Sequence, residues 1–347
     1  MNRLYIGWII SLGLFSCTPA IDRNGGPDPK DRIPKVIFDT DLGSDCDDVG
    51  ALALLHYYAR EGKVDILGCI YSSGKVPYGA GVVDAINHYY GRPDIPVGAA
   101  YDTIVGDPVD KMSAEKLARD TARYGHKIVA NQDALEQTYL SRKLLAQEED
   151  TSVIYITVGH TKGLYDLLVS EPDDVSPLSG QELVKKKIKS WVALGALKAD
   201  NPEGDLKKDW NFFFNGTAPY TDYLIENFPR PGYFIDGGSN VMTGKSLMAT
   251  PEGNIVRQAY TDWLGWAGKT LEDQRPSWDL LAIYFIVHGL GDYLEEAEQG
   301  SLAFDPEKGC VWVKGTRDRQ HHLIKQKAGT DSLFAAELNE KIANYPR

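Results

Sequence analysis

Short apolar runs alternate along the chain with segments whose apolar residues recur at helical spacing. Val36–Phe38, Val64–Tyr71, Ile95–Val97, Val153–Val158, Ser190–Leu194 and Tyr233–Ile235 read as strands. Val49–Arg60, Ala80–Tyr90, Asp133–Gln147, Leu164–Val169, Pro219–Asn227, Ile255–Trp266 and Asp279–Val287 read as helices. Val64–Tyr71 and Val153–Val158 are nearly continuous apolar runs, the pattern of strands covered by helices on both faces. The alternation predicts an α/β fold with a mainly parallel, open sheet flanked by helices. Tyr101–Asn131 and Lys198–Trp210 follow neither period and read as long irregular connections. No internal repeat is visible, and residues 33–347 read as one domain built on one sheet.

Charge and cysteine content narrow the partners. The net charge is −12 and no basic run exceeds Lys185–Lys187, so a nucleic acid would be repelled. A neutral small molecule or a divalent cation fits such a surface. Cys46, Cys69 and Cys310 show neither paired spacing nor a zinc-ligand pattern and read as small buried hydrophobes.

The amino terminus carries a further signal. Arg3 precedes an apolar run, Leu4–Phe15, that is too short to span a bilayer but matches a signal-peptide core. Ser16-Cys17, with Leu14 three residues before the cysteine, resembles a bacterial lipoprotein processing site. Residues 1–17 therefore read as an export segment, with Cys17 as the lipidation site and residues 18–32 as a Gly/Pro/charge-rich tether. This predicts an exported protein, periplasmic or at the cell surface, that touches the membrane only through its lipid.

The chemistry concentrates in Val36-Ile-Phe-Asp39-Thr-Asp41-Leu-Gly43-Ser-Asp45-Cys-Asp47-Asp48-Val-Gly-Ala-Leu52. Five carboxylates fall within ten residues, after an apolar strand and before an apolar helix. Asp39 and Asp41, two apart, are expected on one face of the strand end. Gly43 permits the turn. Asp47 and Asp48 meet the free N–H groups and dipole at the helix start. Carboxylates so crowded repel one another, and some stay protonated unless a cation compensates. A hard divalent ion with oxygen ligands is the natural counter-charge, and Ca²⁺ accepts irregular oxygen shells more readily than Mg²⁺.

Asp39-Thr-Asp41-x-Gly43…Asp47-Asp48-x-x-Ala51-Leu52 resembles the amino-terminal signature of inosine–uridine-preferring nucleoside hydrolases, with two extra residues and an extra carboxylate, Asp45. Asn87–Gly98, Val158–Leu164, Asp209-Trp-Asn211 and Trp278-Asp279 resemble further segments in the family's order. The resemblance implies a Rossmann-like sheet and Ca²⁺-dependent hydrolysis of the N-glycosidic bond of a ribonucleoside or related ribosyl compound. It makes Asp41, Asp48, Asp279 and a backbone carbonyl, that of Lys162, the metal ligands, with Asp41 also the base that takes a proton from water. It places Asp47, together with Asp209 and Asn211, on the sugar hydroxyls, with Asp45 able to take over the role of either Asp47 or Asp48. Family members are often dimers or tetramers.

This chain departs from the family where many members carry a His that protonates the leaving base. Trp278 stands there, able to stack on a base but not to act as an acid. His160, His321 and His322 are the remaining candidate donors, and Trp210, Phe212, Phe213 and Phe214 read as base-pocket lining or as core and lid packing. Two other readings compete. One is a surface lipoprotein that binds ribosyl compounds without cleaving them. The other is a haloacid-dehalogenase-like phosphatase, whose first motif shares Asp39-Thr-Asp41 but not the continuation.

The export signal makes its own prediction: Cys17→Ala moves the protein from the membrane fraction to the soluble fraction of the native host. Unchanged fractionation rules out lipid attachment at Cys17.

Overall fold

The apolar runs pair into a nine-stranded sheet in the computed structural model, which describes residues 33–195, 206–315 and 320–344. The expected export segment, Cys17 and the tether lie outside the described residues. In chain order the strands are β1 (Lys35–Thr40), β2 (Asp65–Tyr71), β3 (Val97–Ala99), β4 (Leu135–Glu136), β5 (Val153–Thr157), β6 (Ile188–Leu194), β7 (Gly232–Asp236), β8 (Met242–Thr243), β9 (Arg275–Pro276), β10 (Leu294–Glu296), β11 (Gly300–Asp305), β12 (Gly309–Lys314) and β13 (His321–Gln326). The main sheet runs β10-β13-β7-β6-β5-β1-β2-β3-β4. All its pairings are parallel except β10 with β13 at one edge. β8 with β9 and β11 with β12 form two small antiparallel pairs.

Successive side chains of β1 feed opposite faces. Val36 and Phe38 join a core with the helices Asp47–Arg60, Gly79–Tyr89, Ile255–Trp266, Asp279–His288 and Asp331–Ile342. Ile37 joins a second core with Gln137–Gln147, Lys162–Val169, Gly180–Lys187 and Ala218–Asn227. Helices on both faces explain the continuous apolar runs. The chain lays β1 to β4 outward on one side, then returns to place β5 on the other side of β1. Connections leave these two strands in opposite directions, so a crevice opens beyond their carboxyl ends, and open α/β sheets bind ligands there.

Some boundaries differ from expectation for local reasons. The helix expected from Asp133 starts at Gln137, because Leu135–Glu136 pairs with β3 and the Glu136 carboxylate caps the Tyr139 N–H. The strand expected at Ile95–Val97 runs Val97–Ala99; Pro96 has no N–H to give a ladder. Tyr101–Asn131 contains the short helices Ala114–Arg119 and Thr121–Tyr124. β13 was not expected, since its six residues hold only two buried apolar side chains.

Gly159, just past β5, lies against the strand end that carries the acidic motif. A Cβ there would stand 2.5 Å from the Asp41 backbone nitrogen and 2.8 Å from the Thr40 carbonyl carbon. Gly159→Ala is expected to destabilise the fold by about 1–3 kcal/mol, since backbone rather than a flexible side chain must move. A urea midpoint equal to that of the parent protein contradicts this packing.

Candidate active site

Two buried helices point their amino ends at the crevice beyond β1. Asp47–Arg60 is buried along almost its whole length, and Asp279–His288 is apolar all round. Asp47 and Asp48 open the first, and Asp279 opens the second. Asp47 Oδ2 accepts hydrogen bonds from the backbone N–H groups of Trp278 at 3.0 Å and Asp279 at 3.3 Å, so a carboxylate of one helix caps the other. Asp48 Oδ1 accepts from Thr40 Oγ1 at 2.5 Å and from the Asp41 N–H at 3.3 Å, tying the helix to the end of β1. Carboxylate oxygens of Asp47, Asp48 and Asp279 lie within 4.8 Å of one another, all three residues buried.

Burial dominates the electrostatics of this cluster. It pushes the Asp41 carboxyl up to about 8, with the charge of Asp45 adding to the effect. The same cause raises Asp47, Asp48 and Asp279 well above the usual carboxylate range, reinforced by their acidic neighbours. Asp41 Oδ2 is buried without a hydrogen-bond partner. Close oxygen donors, an unpartnered anionic atom and no soft ligand fit a hard divalent cation.

Asp39 and Asp41 do not share a face, contrary to the two-residue spacing. The chain leaves the strand after Thr40, so pleat alternation no longer governs Asp41. Asp39 points to the Ile37 side, where Tyr155 Oη donates to its Oδ2 at 3.1 Å, and burial pushes it up to about 8. It does not line the cavity.

That cavity, of about 430 Å³, has Asp41, Asp48 and Asp279 among its walls together with Asp209, Asn211 and Trp278. Asp209 Oδ1 accepts from the N–H groups of Asn211 (2.9 Å) and Phe212 (3.0 Å). Asn211 Nδ2 donates to the carbonyls of Val158 (2.6 Å) and Leu194 (3.3 Å), which fixes it across the ends of β5 and β6. Trp278 faces the cavity with Nε1 3.3 Å from Ser239 Oγ. Lys162 opens the helix Lys162–Val169 and does not line the cavity; its ammonium binds Asp166 (2.5 Å) and Asp102 (2.9 Å).

The candidate proton donors separate clearly. His160 is fully buried, with Nδ1 3.6 Å from Asp41 Oδ2. Burial lowers its pKa to about 4, so this is a contact of a neutral ring, not an ion pair, and His160 does not line the cavity. His321 and His322 pair in register with Gly232 and Tyr233 at the opposite, amino end of the sheet and cannot reach it. Phe212 is core, packed on Trp191 and Phe234, and neither Phe213 nor Phe214 lines the cavity; Trp210 does. Cys46, Cys69 and Cys310 are all buried.

Sequence reasoning missed the far side of the site. Arg275 grips Asp45, Nε to Oδ1 at 3.0 Å and Nη2 to Oδ2, so the inserted carboxylate lies outside the Asp47–Asp48–Asp279 group. The guanidinium lies over the rings of Trp263 (4.0 Å) and Trp278 (4.6 Å). The inserted loop is pinned further: Gly43, at φ 119°, accepts from Lys111 N–H at 2.9 Å, and Ser44 O accepts from Trp263 Nε1 at 2.9 Å. Lys111 sits 5.3 Å over both Trp210 and Trp266. Asp236, at the carboxyl end of β7, also lines the cavity. It could have been read from the sequence by the rule that singled out Asp39, a carboxylate ending an apolar strand run.

No family model and no curated protein matches the chain. Solved structures do. The inosine–uridine preferring nucleoside hydrolase of Bacillus anthracis superposes with a TM-score of 0.61 at 16% identity, covering 89% of this chain and 99% of that one. An inosine–guanosine nucleoside hydrolase gives 0.62 at 15%, covering 90% and 99%. A plant nucleoside hydrolase gives 0.61 at 14%, again covering 90% and 99%. The chain has the nucleoside hydrolase fold: a single α/β domain with a mostly parallel open sheet.

The buried carboxyls fix how stability responds to pH. Asp41 ionises near 8 in the folded protein against an ordinary 3.8, so the native state holds protons that the unfolded state releases. The metal-free protein therefore loses stability as pH rises from about 4 to about 8, beyond which the penalty is constant. Cation binding displaces those protons, so Ca²⁺ is expected to raise Tm more at pH 8 than at pH 5 in thermal unfolding of EDTA-treated protein. An equal response at both pH values, or none, counts against a cation in this cluster.

Proposed function

We propose that the protein hydrolyses the N-glycosidic bond of ribonucleosides, or of a related ribosyl compound, to free base and ribose with the help of Ca²⁺. The observation that carries the reading is the convergence of Asp279 on Asp47 and Asp48 in a cavity that Asp41, Asp209 and Asn211 also line. In this reading Asp41, Asp48, Asp279 and the Lys162 carbonyl hold the ion. Bound Ca²⁺ would orient and acidify water and grip ribose hydroxyls.

Asp41 takes the proton of the attacking water, a role open to a carboxylate once a bound cation has displaced its own proton. The transition state resembles an oxocarbenium ion, and the acidic walls favour positive charge on the sugar. Asp209 and Asn211, held rigid by their hydrogen bonds, address the outer hydroxyls. Asp45 pairs with Arg275, which supports giving the ribose contact to Asp47. We further propose that the catalytic domain is exported and lipid-anchored through Cys17. Homo-oligomer formation is expected from the family resemblance alone.

The test is ribose release from a nucleoside panel with Ca²⁺ or EDTA. Asp41→Asn is expected to lower kcat by about 10³-fold, at the level of losing the group that accepts the proton, while keeping the fold. Release that survives both chelation and Asp41→Asn would falsify the metal mechanism. Binding without release marks a receptor, and turnover of para-nitrophenyl phosphate with Mg²⁺ marks a phosphatase.

A further inference from the structure

Resting on the hydrolase reading, we propose that Arg275, clamped by Asp45 between Trp263 and Trp278, stabilises the departing base in place of a general acid. Among the described residues no histidine lines the cavity. A base leaving as an anion still needs positive charge near its departing nitrogen. The cavity offers two cations, Arg275 and Lys111. Lys111 is held by Asp107 at 2.6 Å and lies over Trp210 and Trp266.

Arg275 is better disposed. It lies three residues before Trp278, which occupies the position where the resemblance expects an acid, and its guanidinium is stacked on that ring. Asp45 takes Nε and Nη2, while Nη1 has no partner among the described residues. The side chain is 20% exposed and lines the cavity. One edge of the planar fork is thus fixed while the other is free to donate. Asp45 lies in the motif's extra residues, so the insertion and the replacement by Trp278 become parts of one device. Asp45 is then a positioning residue, neither metal ligand nor sugar contact.

The step balances without a proton from Arg275. The carbon–nitrogen bond breaks and its electron pair goes to the base. The oxygen of water bonds to the anomeric carbon, and the proton of water goes to Asp41. Nη1 donates hydrogen bonds to the anionic base and keeps its protons, as a guanidinium must near neutral pH. The base is protonated by solvent after release.

The experiment compares inosine with para-nitrophenyl riboside, whose nitrophenolate leaves readily without help. The readout is the ratio of the two kcat/KM values in Ca²⁺. Arg275→Gln is expected to lower the inosine-to-nitrophenyl ratio by roughly 10²-fold, the usual effect of losing one preorganised donor to a developing anion. Arg275→Lys, which keeps the charge and guards against a folding defect, and Asp45→Asn should each lower it by about tenfold, because a point charge or a loosened fork still reaches the base. A ratio unchanged in all three variants overturns the proposal and leaves Arg275 a structural residue. So does a loss of the ratio in Lys111→Met but not in Arg275→Gln. A parent enzyme that cleaves the nitrophenyl riboside but no nucleoside overturns the proposal, and leaves water attack on a ribosyl carbon standing without a nucleobase as the leaving group. Failure to cleave either substrate overturns the hydrolase reading itself, and this proposal with it.

Discussion

The Asp47 carboxylate holds the site together. By accepting the N–H groups of Trp278 and Asp279, it locks the starts of two helices that are far apart in sequence. The spacing of Asp48 and Asp279 is therefore set by backbone rather than by flexible side chains. Close helix packing supports the lock. A Cβ at Gly50 would stand 2.4 Å from Tyr260 Oη and 3.2 Å from Leu280, so a larger residue would push the helices apart. Each helix start contributes roughly half a positive charge. That offsets part of the cost of burying Asp41, Asp47, Asp48 and Asp279 side by side; burial first, and then their mutual repulsion, still raises their pKa values. A bound dication would turn this costly arrangement into a favourable one.

Charge in the cavity is sorted by position. Carboxylates cluster where the strand ends and the two helices begin, and the cations Lys111 and Arg275 lie against tryptophan rings. Each cation also has a carboxylate partner, Asp107 for Lys111 and Asp45 for Arg275. Stacking and pairing together hold a long side chain in one orientation, which an ion pair at an exposed position seldom does. On the proposed reading the acidic region would take the sugar and the tryptophan-and-cation region the base.

Much of this was legible in the sequence, but unevenly. The Asp39–Asp48 motif could be read because it is local: strand, turn and helix start follow within a few residues, and Gly43 does adopt a positive φ. Asp279 alone looks like a helix cap, and only its place in an ordered set of motifs marked it. Arg275, Lys111 and Trp263 could not be read, because their partners Asp45, Asp107 and Ser44 carry no local pattern that names them, and for Arg275 and Trp263 those partners are more than two hundred residues away. The face assigned to Asp41 failed because alternation was extended past the end of the strand. β10 and its neighbour β13 were missed because half-exposed strands contain too few apolar residues to declare a period.

The indole of Trp263 donates to the inserted loop while its ring lies under the Arg275 guanidinium, and Trp278 flanks the same cation. Among the described residues three tryptophans, Trp210, Trp263 and Trp278, line the cavity, and Trp266 lies against Lys111. Indole emission depends on nearby charge and on solvent contact. The protein thus carries a built-in optical probe, so occupancy of the cleft can be followed by ultraviolet fluorescence in the unlabelled molecule.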